Sequence, residues 1–111
     1  MAVYKRHYLK TWPKFFDAVL SGVKTFEFRK NDREFMLGDH LLLKEWDPQT
    51  EAYTGRELEV HVNYILRCCD HGKPIPDWPM GWCVMGINPV YNGYKDTSNL
   101  ERVCKGQEVE G

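Results

Sequence analysis

Residues 21–31 read Ser21-Gly22-Val23-Lys24-Thr25-Phe26-Glu27-Phe28-Arg29-Lys30-Asn31, and the reading of this stretch decides the fold. Gly22 stands where a left-handed helix stop belongs, and the residues after it alternate as a strand does. That alternation puts Thr25, Glu27 and Arg29 on one face and Phe26 and Phe28 on the other. The phenylalanines are the natural anchor to a core. The opposite face then presents a carboxylate beside a guanidinium, just after Lys24. Folding alone does not ask for such a face, whereas a small polar ligand such as a nucleobase or nucleotide does.

Upstream, Lys5 to Lys10 reads as a short strand, and Trp12-Pro13 opens a helix because proline suits the first helical position. Phe15, Phe16, Val19 and Leu20 form its apolar stripe, and the helix is predicted over Pro13 to Ser21. Downstream, Asn31-Asp32-Arg33 and Gly38-Asp39 are turns, and His40 to Trp46 is a strand. Asp47 to Thr50 turns it into a return arm. From Arg56 to Leu66 the alternation predicts Leu58, Val60, Val62, Tyr64 and Leu66 on one buried face. Four residues between Asp70 and Pro79, namely Gly72, Pro74, Pro76 and Pro79, mark a loop. Trp82 to Ile87 is the last predicted strand. Residues 1–90 are thus expected to form one domain, with 91–111 an irregular polar tail. The fold class is mainly β with one or two helices (α+β): antiparallel strands closing into a small barrel, an early helix covering one end.

With 111 residues and 42% apolar composition, one compact domain with a modest core is the expectation. A net charge of −1 gives no global attraction to nucleic acid or membrane, so any such binding must be local. The stretch Lys24 to Arg33 supplies a local bias, with four cations against two carboxylates. The N-terminus has charge but no apolar run, and no stretch approaches a membrane span, so a cytoplasmic protein is expected. Cys68, Cys69, Cys83 and Cys104 are then free thiols. The pair Cys68-Cys69 with His71 does not match zinc-ligand spacing, and neither a metal nor a cofactor is expected. There is no Gly-x-Ser-x-Gly elbow or phosphate-cradling glycine loop.

The pattern Gly22-x-Lys24-x-x-Glu27-x-Arg29, after a short helix and before the Gly38-Asp39 turn, resembles the ASCH domain of the PUA-like superfamily. Three stretches, residues 24–33, Tyr53-Thr54-Gly55-Arg56-Glu57 and Val84-Met85-Gly86-Ile87, resemble a phage and bacterial branch described only as a domain of unknown function. The resemblance runs from about His7 to Ile87. It implies a barrel of five to six strands, with a cleft between helix and barrel that takes RNA or nucleotide-like ligands. One small bacterial ASCH branch that shares the motif hydrolyses the amide of N4-acetylcytidine. Its catalytic lysine matches Lys24, its partner threonine falls where this chain has Glu27, and its further glutamate comes from a helical insertion that Leu58 to Leu66 does not accommodate.

The expected site is therefore a cleft lined by Gly22, Lys24, Thr25, Glu27, Arg29, Lys30 and Arg33, with Trp12 and Trp82 available for base stacking. The favoured function is binding of RNA or a modified nucleotide. One alternative is a small amidohydrolase acting on acylated cytidines, with Lys24 and Glu27 catalytic. Another is a phage or host protein-interaction module with no ligand. For Glu27 and Arg29 the plain alternative is a surface ion pair of little worth. Trp78 in the proline-rich loop is a candidate lid, Lys10 can reach the cleft, and His7 reads as a structural histidine. The sequence does not fix the oligomeric state.

Overall fold

A computed structural model describes residues 3–70 and 72–98. The chain forms β1 (Arg6–Thr11), α1 (Pro13–Leu20), β2 (Phe26–Lys30), β3 (His40–Asp47), β4 (Ala52–Leu66), β5 (Cys69–Asp70), β6 (Lys73–Pro74) and β7 (Trp82–Asp96). Five strands make one sheet in the order β1-β3-β4-β7-β2, and β5 and β6 form a separate small ribbon. The large sheet is a half-barrel. Its two edge strands, β1 and β2, face each other across a gap that side chains bridge: Arg29 Nη2 donates to Lys10 O at 3.2 Å and Arg33 Nη1 to Tyr8 O at 2.6 Å.

The curl has local causes. Pairing slips between Lys44 and Trp46 on β3, and between Leu58 and Val60 and between Val62 and Tyr64 on β4. Each irregularity bends its strand and raises its twist. At the middle one, Glu59 alone stands opposite residues 90–93. Gly93 permits it, since a Cβ there would lie 2.6 Å from Glu59 O and 2.8 Å from Val90 O.

Inward-facing residues make one core: Leu9, Leu41, Leu43, Leu58, Val60, Val62, Cys83, Met85 and Ile87 from the sheet, Phe16 and Val19 from α1, and Phe35 from the β2–β3 connection. Pro13 starts α1, and the Phe15 and Phe16 N–H groups bond Trp12 O at 3.0 and 2.8 Å. Gly22 ends it at φ +86°, where its N–H reaches Val19 O. The helix lies against β3.

Three expectations need correction. First, β1 and β3 pair in parallel, not antiparallel, because α1 and β2 together form the crossover that a parallel pair requires. Second, the last strand does not stop near Ile87. It runs on to Asp96, with Arg56 to Leu58 opposite Lys95, Tyr94 and their neighbours, so residues 91–96 belong to the sheet and not to a tail. The remaining tail from 99, with Cys104, and His71 lie outside the described residues. Third, the slip after Val62 turns Tyr64 outward, 61% exposed, and Ile65 takes its place against the core.

Candidate functional site

Within the stretch from Ser21 to Asn31 a strand forms as predicted, over Phe26–Lys30, with its faces reversed. Antiparallel pairing sets Glu27 opposite Met85 and Arg29 opposite Cys83, whose side chains point into the core. Glu27 is therefore buried, while Phe26 and Phe28 stay on the outer face, nearly half exposed. The partner strand decides this. The alternation of Cys83, Met85 and Ile87 is inward, and a paired residue shares its partner's face. Phe28 finds its contacts outside, stacked on Trp82 at 5.0 Å and edge-on to Trp78 at 6.4 Å.

A buried carboxylate needs partners, and Glu27 has two. Lys24 Nζ donates to Oε1 and Arg29 Nε to Oε2, both at 2.9 Å. The cations continue to the backbone. Lys24 Nζ also reaches Phe26 O at 2.8 Å, and Arg29 Nη2 reaches Lys10 O and Thr11 Oγ1. Ile87 N–H bonds Thr25 O, so by strand alternation Phe26 O faces the open edge of β2. His40 N–H bonds Lys5 O, so Tyr8 O and Lys10 O face the open edge of β1. Each of these three edge carbonyls takes a donor from Lys24, Arg33 or Arg29. Cationic side chains thus cover both edges of the sheet where another strand would otherwise pair.

Between these edges and the start of α1 lies a cavity of about 710 Å³. Because β2 is an edge strand, side chains of both its faces reach this space. Trp12, Phe15, Phe26, Phe28 and Trp82 supply aromatic walls. The charged lining comprises Lys10, Lys24, Arg29, Lys30 and Arg33 against Glu27 and Asp32. Lys24 Nζ sits 4.9 Å from the Phe26 ring centre, a cation–π distance.

Eight of the residues singled out in the sequence line this cavity: Lys10, Lys24, Glu27, Arg29, Lys30, Arg33, Trp12 and Trp82. Gly22 and Thr25 do not. Gly22 serves the helix stop, and Thr25 is exposed and gives its carbonyl to β7. Trp78 does not line this cavity but packs on Phe28, which does. Its indole N–H bonds Trp82 O at 2.8 Å and its ring closes the outer aromatic cluster. Asn31 is a turn residue, its side chain accepting Phe35 N–H at 2.9 Å. Sequence reasoning missed Phe15, Phe26, Phe28 and Thr11. The inward run Cys83-x-Met85-x-Ile87, paired antiparallel to β2, was the available signal.

Other polar clusters support the scaffold. His7 is buried beneath β1, bonded to Asp39 Oδ2 at 2.8 Å. Burial raises the Asp39 carboxyl, but the His7 bond and the N–H groups of Lys5 and Met36 outweigh it and hold it below its usual range. On the outer face, burial likewise raises Glu59 and is outweighed by His40 and Arg6, which hold it low. Buried Glu45 accepts Thr54 Oγ1 at 2.6 Å and lies 3.5 Å from Arg56, which reaches on to Asp17 of α1 at 2.7 Å. This chain of charges ties the helix to β3 and β4. The Cys68 and Cys69 sulfurs lie 3.4 Å apart, and no cluster of three metal-ligating side chains occurs among the described residues. No helix among them is long and apolar enough to cross a membrane.

Comparison with known proteins agrees with this geometry in extent. The chain is 41% identical over 66 residues to an uncharacterized 12.9 kDa protein in the GpA 3' region of Escherichia phage P2. The match covers 60% of this chain and 59% of the phage protein, so the chain spans about three fifths of that relative's length. Residues 6–87, from the first residue of β1 to the middle of β7, match the family described as a domain of unknown function, DUF3850. The half-barrel, its helix and its charged cleft are thus those of a chain that belongs to the DUF3850 family.

Proposed function

We propose that this protein is an ASCH-type domain of the PUA-like superfamily and that its cleft binds RNA or a modified nucleotide. The observation that carries this reading is the meeting, in one 710 Å³ cavity, of six aromatic side chains with five cations. Aromatic faces stack on bases and cations neutralise phosphate, and few other ligands use both. The volume lies within the range of ordinary ligand pockets, so a single nucleotide fits. The ASCH-like spacing of Gly22, Lys24, Glu27 and Arg29 adds to the argument, since three of these four residues meet in that cavity.

The state of Lys24 favours binding over amide hydrolysis. Lys24 Nζ donates to Phe26 O and to Glu27 Oε1, and an attacking amine would have to give up both contacts. The strand β4 also runs on to Leu66 without a helical insertion that would bring a second carboxylate.

The test is fluorescence anisotropy of labelled single-stranded RNAs at low salt. Binding is expected to weaken as salt rises, and the slope of log affinity on log salt is expected to fall by about 0.7 when Lys30, exposed at the rim, becomes alanine. No binding of any RNA or free nucleotide at about 50 mM salt would refute the proposal.

A further inference from the structure

His40 and His61 lie far apart in the sequence, but the pairing of β3 with β4 sets them directly opposite each other on the outer face of the sheet. Val62 N–H bonds Asp39 O, and bonded positions alternate along an antiparallel ladder. His40 and His61 are therefore a pair without backbone bonds between them, the kind that holds its side chains closest. Their ring centres are 6.2 Å apart with a tilt of 40°, and both residues keep part of their surface in solvent.

The neighbours of His40 fix its chemistry. The Glu59 carboxyl, on the same face of β4 as His61, is held low by His40 and Arg6 against its partial burial. An ionised carboxylate only accepts, so the His40 Nδ1 atom, 2.7 Å from Glu59 Oε2, carries the hydrogen. In the neutral ring Nε2 then holds a lone pair, and it bonds no protein group among the described residues. Tyr4 stacks on the same ring at 4.1 Å and 11°, which limits how it can turn. The His61 ring makes no hydrogen bond among the described residues, so it can rotate a nitrogen toward His40.

An imidazole whose far nitrogen is gripped by a carboxylate is the arrangement of a metal-ligating histidine. Imidazole nitrogen suits zinc, copper and nickel ions. Two rings on one ion, each nitrogen about 2.0–2.1 Å from it, have centres about 5–6 Å apart, so a small turn of His61 closes the present gap. The Glu59 oxygens are engaged by His40 and Arg6, and water fills the remaining positions of the ion. We propose that His40 and His61 form a surface site for a divalent transition-metal ion such as Zn²⁺. The site shares no residue with the cleft, so it stands or falls apart from the nucleotide-binding reading.

The test is calorimetric titration of Zn²⁺ into the full chain carrying Cys68→Ser, Cys69→Ser and Cys104→Ser, which removes thiols that would also take zinc. One ion per chain is expected. His40→Asn and His61→Asn, made in that chain, are each expected to weaken binding at least about tenfold, because two linked ligands become one. Circular dichroism establishes that the variants are folded. Where one is not, the imidazole nitrogen-15 signals of the unaltered chain decide, and Zn²⁺ is expected to shift those of His40 and His61 together. Binding that survives both histidine substitutions, imidazole shifts confined to other histidines, or no binding at about 1 mM Zn²⁺ would overturn the inference.

Discussion

Replacing Glu27 by glutamine removes one charge and almost no volume, and its effect follows from the network. Glutamine offers one acceptor oxygen where the carboxylate offers two, and its amide nitrogen is a donor. It can serve Lys24 or Arg29 but not both, and whichever faces the amide is opposed by another donor. Removing one partner of a buried ion pair costs about 3–5 kcal/mol. Lys24 and Arg29 keep 18% and 27% of their side chains in solvent, so water recovers part of that. A loss of about 2–3 kcal/mol is expected, or roughly 10–20 °C in melting temperature for a domain of this size. Urea denaturation followed by circular dichroism measures it, with the slope unchanged if only the folded state is affected. A loss under about 0.5 kcal/mol would refute the reasoning, because Glu27 would then not be holding two cations in a water-poor site. Reversal by a compensating Arg29→Leu in the Glu27→Leu background would support the same account, since an apolar replacement of a buried charge cluster is often tolerated.

Gly93→Ala is expected to destabilise by more than about 2 kcal/mol, because its Cβ would press on backbone at Glu59 and Val90, whereas Gly86→Ala meets the mobile end of Asn63 and is expected to cost under about 1 kcal/mol. Equal losses in thermal melts would remove that distinction. Asp39 is held below its ordinary pKa only in the folded chain, so its stabilisation is complete above about pH 5 and fades as pH falls through its folded value. Asp39→Asn is accordingly expected to be less stable than wild type at pH 7 and to show a smaller drop in urea midpoint between pH 7 and pH 3, and parallel drops in the two proteins would contradict this. Phe28→Ala is expected to change the emission of Trp82, with which it stacks, and to cost about 1–2 kcal/mol as a half-exposed aromatic, and an unaltered spectrum would argue against the outer cluster.

The elements with strong local signals were legible in the sequence. Proline at the helix start, Gly22 at its end and the alternation of His40 to Asp47 all lie where the patterns place them, because caps and periodicity are decided within a few residues. What failed depended on partners distant in sequence. The face that β2 buries is set by its register with Cys83 and Met85, and two phenylalanines beside a glutamate mislead when the strand is an edge. The outward turn of Tyr64 follows from a bulge that no composition marks. The continuation of β7 past Pro89 was obscured by proline and glycine, both tolerated here at an irregular stretch of pairing. The grouping of Lys24, Glu27 and Arg29 was visible as a spacing. The aromatic half of the cavity was visible only in part: Trp12 and Trp82 stood out as stacking candidates, whereas Phe15, Phe26 and Phe28 read as core residues.

The cleft between β1, β2 and the start of α1 is where a nucleotide-bearing ligand is expected to sit. Titration of the isotope-labelled protein with octauridylate, followed residue by residue in amide and indole NMR signals, tests that directly. The account predicts that shifts gather on Lys24, Phe26, Glu27, Phe28 and Arg29 and on the Trp12 and Trp82 indoles, with Tyr4, His40 and Glu59 on the opposite part of the sheet unmoved. Shifts centred on the His40 and Glu59 surface, or none at saturating RNA, would contradict it.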